Sequence, residues 1–207
     1  MKSVILSVCG LLACAAGAFP LNPSFTPDAV AAYKAKADAG DAEAQYHLGF
    51  MYQMGKGVET NLTEAVRLYR KSAEQGNARG QCALGLMYSF GTGVKTNQAE
   101  ALKWVLRAAE QNEVHAQVRL GYVYENGIGV ETNREESVTW YRKAAEQGDA
   151  LAQHTMGEIY ERGRGVKMDV TEAVKWYRRA AVQGFGPSQD ELGWERKNAS
   201  RGKSDEL

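Results

Sequence analysis

Residue types able to do chemistry are few and widely spaced in this chain. Its three histidines, His47, His115 and His154, stand in unrelated contexts, and none has a second His or a Cys four residues away. A metal centre needs such ligands to converge, so no metal ion is expected. Four Gly-x-Gly-Val stretches, at residues 55–58, 91–94, 127–130 and 163–166, invite a phosphate-binding reading. A phosphate loop, however, follows a strand and carries a downstream Lys-Ser/Thr pair or a third glycine. These stretches follow helical patterns and carry neither, so their glycines are read as ending a helix and turning the chain, with the valine plugging a core. Cys82 is the one cysteine beyond the N-terminal stretch that holds Cys9 and Cys14, which leaves the body of the chain no internal disulfide. Without a cationic cluster near it in sequence, Cys82 reads as a small apolar residue on a helix. No Ser-His-Asp set or carboxylate pair stands out, because Asp and Glu recur at capping and exposed positions. The expectation is a protein that is not an enzyme and uses neither cofactor nor metal.

The elements that carry these residues repeat. Gly40, Gly76, Asn112, Gly148 and Gly184 stand 36 residues apart with no insertion between them. A fixed period of this length is the mark of stacked supersecondary units, not of one globular core. Within each unit a first helix, A, places Ala44, Leu48 and Met51 on one face, and the same offsets hold Gly80, Leu84 and Met87, then Ala116, Leu120 and Val123, then Ala152, Met156 and Ile159. Gly49, Gly85, Gly121, Gly157 and Gly193 recur inside this helix. A mid-helix glycine costs about 1 kcal/mol against alanine, so its recurrence predicts the close approach of a neighbouring helix where no Cβ fits. Gln45, Gln81, Gln117, Gln153 and Gln189 recur likewise, and each amide is expected to bond a backbone group at a helix junction.

A second helix, B, opens on Asn61-x-x-Glu64, Asn97-x-x-Glu100, Asn133-x-x-Glu136 and Asp169-x-x-Glu172, a capping box expected to satisfy backbone amides in both directions. Its stripe of Tyr69, Trp104, Trp140, Tyr141, Trp176 and Tyr177 reads as core between units, not as a ligand cage.

The pattern Ala-x-x-x-Leu-Gly-x-x-Tyr, Gly-x-Gly-Val, Glu-Ala-x-x-Trp-Tyr-x-x-Ala-Ala-x-Gln-Gly resembles the Sel-one-like repeat, a relative of the tetratricopeptide repeat. The resemblance covers residues 42–184 in four copies. It implies an all-α fold, a right-handed α/α superhelical solenoid of about four 36-residue helix-turn-helix repeats with a half-unit at each end, which binds other proteins or peptides as an adaptor. Some secreted relatives carry a cysteine pair in each repeat, and activity against β-lactams has been proposed for such proteins; this chain lacks those pairs.

Around the repeats, residues 26–39 read as an N-terminal capping helix and 185–197 as a C-terminal one, with a polar tail over 198–207. Lys2, an apolar run over 4–16 and Ala16-Gly17-Ala18 describe a signal peptide cut after Ala18, with 19–25 as a linker. Leu11-Leu12-Ala13-Cys14 loosely matches a lipoprotein box, which would anchor the protein through Cys14. The final Ser-Asp-Glu-Leu resembles an endoplasmic reticulum retrieval signal, meaningful only in a eukaryote. The expected location is therefore extracytoplasmic, in a bacterial periplasm or secreted, with the reticulum lumen as the alternative. Charge is balanced, with 25 basic and 25 acidic side chains, so neither nucleic acid nor an anionic membrane surface is an expected partner. A monomer that binds a protein or peptide is expected.

In such a stack helix A lines the concave face, and its positions that vary between copies are where a partner would be read. These are Tyr46, His47, Phe50, Met54, Arg79, Leu86, Phe90, Arg119, Tyr122, His154 and Glu158. Phe50, Met54, Leu86 and Phe90 are expected to form a solvent-facing apolar stretch that grades into polar positions further along the chain.

Overall fold

The computed structural model describes residues 26–201, with side chains through residue 193. The proposed signal peptide, the linker, Cys9, Cys14 and the final Ser-Asp-Glu-Leu lie outside the described residues. Among the described residues ten helices follow one another: α1 (Pro27–Asp38), α2 (Ala42–Met54), α3 (Leu62–Glu74), α4 (Ala78–Phe90), α5 (Gln98–Glu110), α6 (Val114–Asn126), α7 (Arg134–Glu146), α8 (Ala150–Arg162), α9 (Val170–Val182) and α10 (Gly186–Arg201). No strand occurs among the described residues. Helices α2, α4, α6 and α8 are the A helices and α3, α5, α7 and α9 the B helices. The chain divides into two compact units at Ala116–Gln117, inside α6.

Local chemistry sets the helix ends. Asp41, Asn77 and Asp149 cap A helices by accepting the amides of Ala44, Gly80 and Ala152 at 2.7–2.8 Å. Gly55, Gly91 and Gly163 close them in the left-handed conformation that glycine adopts without strain. On B helices, Asn61, Asn97, Asn133 and Asp169 accept the amides of Glu64, Glu100, Glu136 and Glu172 at 3.0–3.1 Å, as the capping box requires. The reciprocal half of that box is absent. The cap residue's own N–H is already taken by the end of the preceding A helix: Asn61, Asn97, Asn133 and Asp169 donate to the carbonyls of Tyr52, Tyr88, Tyr124 and Tyr160 at 2.8–3.0 Å. The glutamates turn outward instead, Glu64 to Arg67, Glu100 to Lys103 and Trp104 Nε1, and Glu172 to Lys175.

Helix A and helix B meet at the recurring glycine. A Cβ at Gly49 would stand 2.9 Å from the Tyr69 ring, at Gly85 2.6 Å from Val105, and at Gly121 2.7–2.8 Å from the Tyr141 ring, with Tyr177 filling the same place beside Gly157. The expected close approach is present in every complete repeat. The tyrosine hydroxyls are held as well, Tyr69 donating to Gln53 at 2.7 Å and Tyr177 to Glu161 at 3.1 Å.

The recurring glutamines do what their spacing predicts and more. Gln45, Gln81, Gln153 and Gln189 donate to the carbonyls of Ala37, Ala73, Ala145 and Ala181 at 3.0–3.2 Å, tying each A helix to the B helix before it. The side-chain oxygens of Gln45, Gln81, Gln117 and Gln153 accept in turn from Gln75, Gln111, Gln147 and Gln183, at the end of the following B helix, at 2.7–2.8 Å. One amide thus links three helices. A further pair, Arg70 to the Tyr88 hydroxyl and Arg142 to that of Tyr160, joins a B helix to the next A helix. Leu106 stands at the corresponding place on α5.

In the first unit Ala37, Ala44, Leu48, Met51 and Leu68 form one buried cluster with Val30, Tyr33 and Val58 against it. A second cluster gathers Tyr46, Phe50, Tyr69, Leu84, Met87, Tyr88 and Trp104. In the second unit Leu120, Trp140, Met156, Ile159, Trp176 and Tyr177 are buried. The aromatic stripe is therefore core, as its spacing predicts. The last helix differs from expectation by running four residues past Lys197, because Asn198-Ala199-Ser200-Arg201 contains no breaker before Gly202. The polar tail accordingly begins later than the sequence suggests.

Gly121→Ala gives up to about 1 kcal/mol back in helix propensity but drives a methyl group into the Tyr141 ring. Overpacking of this kind costs about 1–3 kcal/mol, so the net effect is a lower melting temperature. An unchanged or raised melting temperature would contradict the close approach.

Candidate functional site

The variable positions of the A helices do not form one open face. In the first unit Glu43, near the start of α2, collects three partners. Asn77 Nδ2 donates to one carboxylate oxygen at 2.7 Å, while Arg79 Nη1 lies 2.9 Å and His47 Nε2 3.2 Å from the other. Arg79 and His47 are thus held by an acid, Arg79 from the exposed surface and His47 half-buried between the Tyr33 and Tyr46 rings. Tyr46, expected on the concave face, and Phe50, expected in the solvent-facing stretch, are buried instead; Phe50 is 2% exposed and belongs to the cluster between α2 and its neighbours. The Lys56 ammonium from the following loop lies 5.0 Å from the Phe50 ring centroid. A single helical wheel assigns one buried face, whereas an internal A helix has neighbours on several sides.

Three residues of the expected apolar stretch remain near solvent in this unit. Met54 is 39% exposed, Phe90 48% exposed, and Leu86 half-buried. Met54 and Phe90 are the last residues of α2 and α4, the same position of successive repeats.

In the second unit the corresponding last residues are Asn126 and Arg162, both exposed. Arg119 is buried with its guanidinium 5.4 Å from the half-buried Tyr122 ring. His154 Nδ1 lies 2.9 Å from Ser188 Oγ, and its ring sits 5.3 Å from both Tyr177 and Phe185. Glu158 lies 3.4 Å from Arg162 and 3.5 Å from Arg164, whose other nitrogen pairs with Glu125. Arg164 comes from the Gly-x-Gly loop, so in this copy the loop carries a cation that cross-links A helices and no phosphate cradle. The structure therefore separates the candidate residues: Met54, Leu86 and Phe90 keep some exposure on α2 and α4, Tyr46 and Phe50 are core, and His47, Arg79, His154 and Glu158 are held in polar links.

One arrangement escaped the sequence reading. Glu113 stands where Asp41, Asn77 and Asp149 cap other A helices, and its longer side chain both caps Ala116 N at 2.6 Å and lies 2.9 Å from His115 Nδ1. The buried Cys82 thiol also hydrogen-bonds this carboxylate. Burial alone would raise the Glu113 carboxyl; the bonds from His115, Ala116 and Cys82 outweigh it and hold the group below its ordinary range. The departure from Asp or Asn at a capping position was its signal. A carboxylate beside a buried thiol opposes thiolate formation, so the cluster is no nucleophile. No group of three or more metal-ligating side chains exists among the described residues.

Four Sel1 repeats match the chain, at residues 42–77, 78–113, 114–149 and 150–185. The chain belongs to the Sel1 repeat family. Sel1 repeat proteins generally mediate protein–protein interaction, and their fold is typically a non-enzymatic scaffold. Among solved structures, a Sel1 repeat protein from Oxalobacter formigenes is 38% identical with a TM-score of 0.76, over 81% of this chain and 68% of that one. The protective antigen c5321 of uropathogenic Escherichia coli, which displays the same fold, is 38% identical with a TM-score of 0.75, over 89% of this chain. This Sel1 repeat protein spans only 39% of that antigen's length. The immunity protein Pa5087 from Pseudomonas aeruginosa is 25% identical with a TM-score of 0.57, over 86% of this chain and 66% of that one. Among curated proteins none matches.

Burial pushes the His154 imidazole below its ordinary value of 6.5; Glu158 and Glu161 oppose the shift and Arg162 adds to it. Burial lowers His47 too, against the pull of Glu43. A histidine whose folded pKa is depressed takes up its proton more readily when unfolded, so stability is present above about 6.5 and falls as the pH drops through it. Melting temperature should decrease from about pH 7.5 to about pH 5.5, and His154→Phe should flatten that slope. A slope of the opposite sign would refute the assignment.

Proposed function

We propose that this Sel1 repeat protein is an extracytoplasmic adaptor that binds a protein or peptide partner through the apolar edge of its first unit. The observation that carries this reading is the pair Met54 and Phe90, large apolar side chains left in solvent at one position of successive repeats. Leu86, one helical turn before Phe90 on α4, is half-buried, and Phe50, one turn before Met54 on α2, belongs to the core, so both exposed residues stand on helices anchored by that core. An exposed apolar cluster on a rigid scaffold suits the anchors of a helical or extended peptide. The same position holds Asn126 and Arg162 in the second unit, so polar and charged contacts would be made there.

Met54→Ser with Phe90→Ser removes side chains that are 39% and 48% exposed, so it should cost about 1–3 kcal/mol of stability and leave the fold intact by circular dichroism. Affinity for the partner recovered from the native source should fall at least about tenfold, a loss of about 1.4 kcal/mol. Phe50→Ala, by contrast, should cost about 3–5 kcal/mol of stability. Undiminished binding by the folded double variant would exclude this edge.

The location outside the cytoplasm rests on the N-terminal sequence, and the bacterial origin of the similar structures favours a periplasmic or secreted protein over one held in a reticulum. The intact mass of the protein from its native source should correspond to a chain beginning at Phe19. A mass beginning at Met1 would refute export, and a lipid-modified chain beginning at Cys14 would make the protein membrane-anchored.

A further inference from the structure

The first and last of the described helices are the two halves of one repeat. Helix α1 is a B half: Val30 and Tyr33 stand 36 residues before Val66 and Tyr69, and the Ala37 carbonyl receives the Gln45 amide as that of Ala73 receives Gln81. Helix α10 is an A half: Gln189 donates to the Ala181 carbonyl at 3.1 Å, and Ser188, Leu192 and Gly193 fall at A-helix positions. Among the repeats, each B helix leans on an A helix through the recurring glycine. At Gly49, Gly85, Gly121 and Gly157 a Cβ would strike the side chain that lies 20 residues on, whereas at Gly193 no described residue lies within 4 Å. Among the described residues that notch is open. Conversely, Tyr33 is only half-buried, while Tyr69, Tyr141 and Tyr177 at the same position are enclosed.

We propose that α1 of one copy docks on α10 of a second copy, with Tyr33 entering the notch at Gly193, so that the repeat's own helix A–helix B contact is re-formed between chains. The occupant is a second copy because each end presents what the other lacks, at matching positions. Ala29 stands where Ala65 and Ala101 bring their backbone carbonyls within 3.3 Å of a Cβ built on the facing glycine, and Tyr33 stands where Tyr69 fills the notch. The joint continues an interface that the chain already uses in each complete repeat. Its two surfaces differ, so it is head-to-tail and can propagate beyond a dimer. One residue departs from the pattern. Lys36 replaces the small buried Ser72, Ala108, Ala144 and Ala180. Its stem can lie along the joint with the ammonium in water, which weakens the contact and keeps assembly reversible.

Sedimentation velocity of the purified protein from about 1 μM to about 0.5 mM tests this, because the weak end of specific association falls in that range. The mean mass should rise with concentration past that of a dimer. Gly193→Leu adds a side chain where the folded monomer has open space, so circular dichroism and melting should hold while association drops at least about tenfold. Ala29→Arg should block the other surface. An equimolar mixture of these two variants keeps one open surface on each chain and should form a dimer and nothing larger. Lys36→Ser should strengthen association. A monomer throughout the concentration range would overturn the proposal, as would association undiminished by Gly193→Leu or a mixture that stays monomeric. Association that appears only after removal of residues 1–25 would also overturn it, by showing that the chain's own N-terminal segment covers α1.

Discussion

The contact between a glycine on helix A and an aromatic or valine side chain on helix B is the constraint on which each unit depends. At Gly49 and Tyr69, Gly85 and Val105, Gly121 and Tyr141, and Gly157 and Tyr177, the two backbones come closer than any side chain on helix A would allow. Glycine in a helix is unfavourable, so the arrangement stands only because the ring it admits is almost wholly removed from water. With the distance between helices fixed in this way, the glutamine amide at the junction reaches a carbonyl on the preceding B helix and accepts from a glutamine on the next. A buried amide is costly unless satisfied, and here both its ends are satisfied, which makes the spacing between repeats as specific as the spacing within one.

Constant backbone geometry leaves the variable side chains free to differ, and most of the variation turns out to be structural. Glu43 reaches Asn77 and Arg79 in the next repeat, His154 reaches Ser188, and Arg164 reaches Glu125. These three joints each carry their own polar fastening on top of the shared one. A residue that changes from copy to copy is therefore not thereby a binding residue. What is left after these links are removed is a short apolar edge, Met54, Leu86 and Phe90, and it lies in the first unit alone.

Much of the fold was legible because identical local geometry is enforced in every copy: the period, the caps, the glycines and the glutamines each recur where one backbone conformation or one close contact demands them. The candidate site was less legible. Phe50 and Tyr46 fall opposite the Ala44, Leu48 and Met51 face, which a wheel of one helix reads as solvent, yet they pack against elements far away in sequence. The reciprocal capping bond was misread for a related reason, since the Asn61 amide that Glu64 would have satisfied is claimed by the Tyr52 carbonyl across the turn. Glu113 was invisible as a cluster centre because its partners, Cys82 and His115, come together only when α4 and the start of α6 are in place. Periodicity reports what all copies share; contacts made once have no second copy to reveal them.

The last residues of the A helices show how a binding edge can be set into such a repeat. The C-terminal end of a helix carries a partial negative charge and favours a cation by about 0.3–1 kcal/mol. Arg162 takes that position in α8 and pairs with Glu158. Met54 and Phe90 forgo it and leave large apolar side chains in water, and neither α2 nor α4 has a basic residue in its last turn. Within the folded chain each gives up that electrostatic gain and recovers only part of it through burial, Met54 being 39% and Phe90 48% exposed. Apolar side chains that gain little in the free protein gain most when something covers them. The same reasoning separates them from Phe50, whose burial already accounts for its presence.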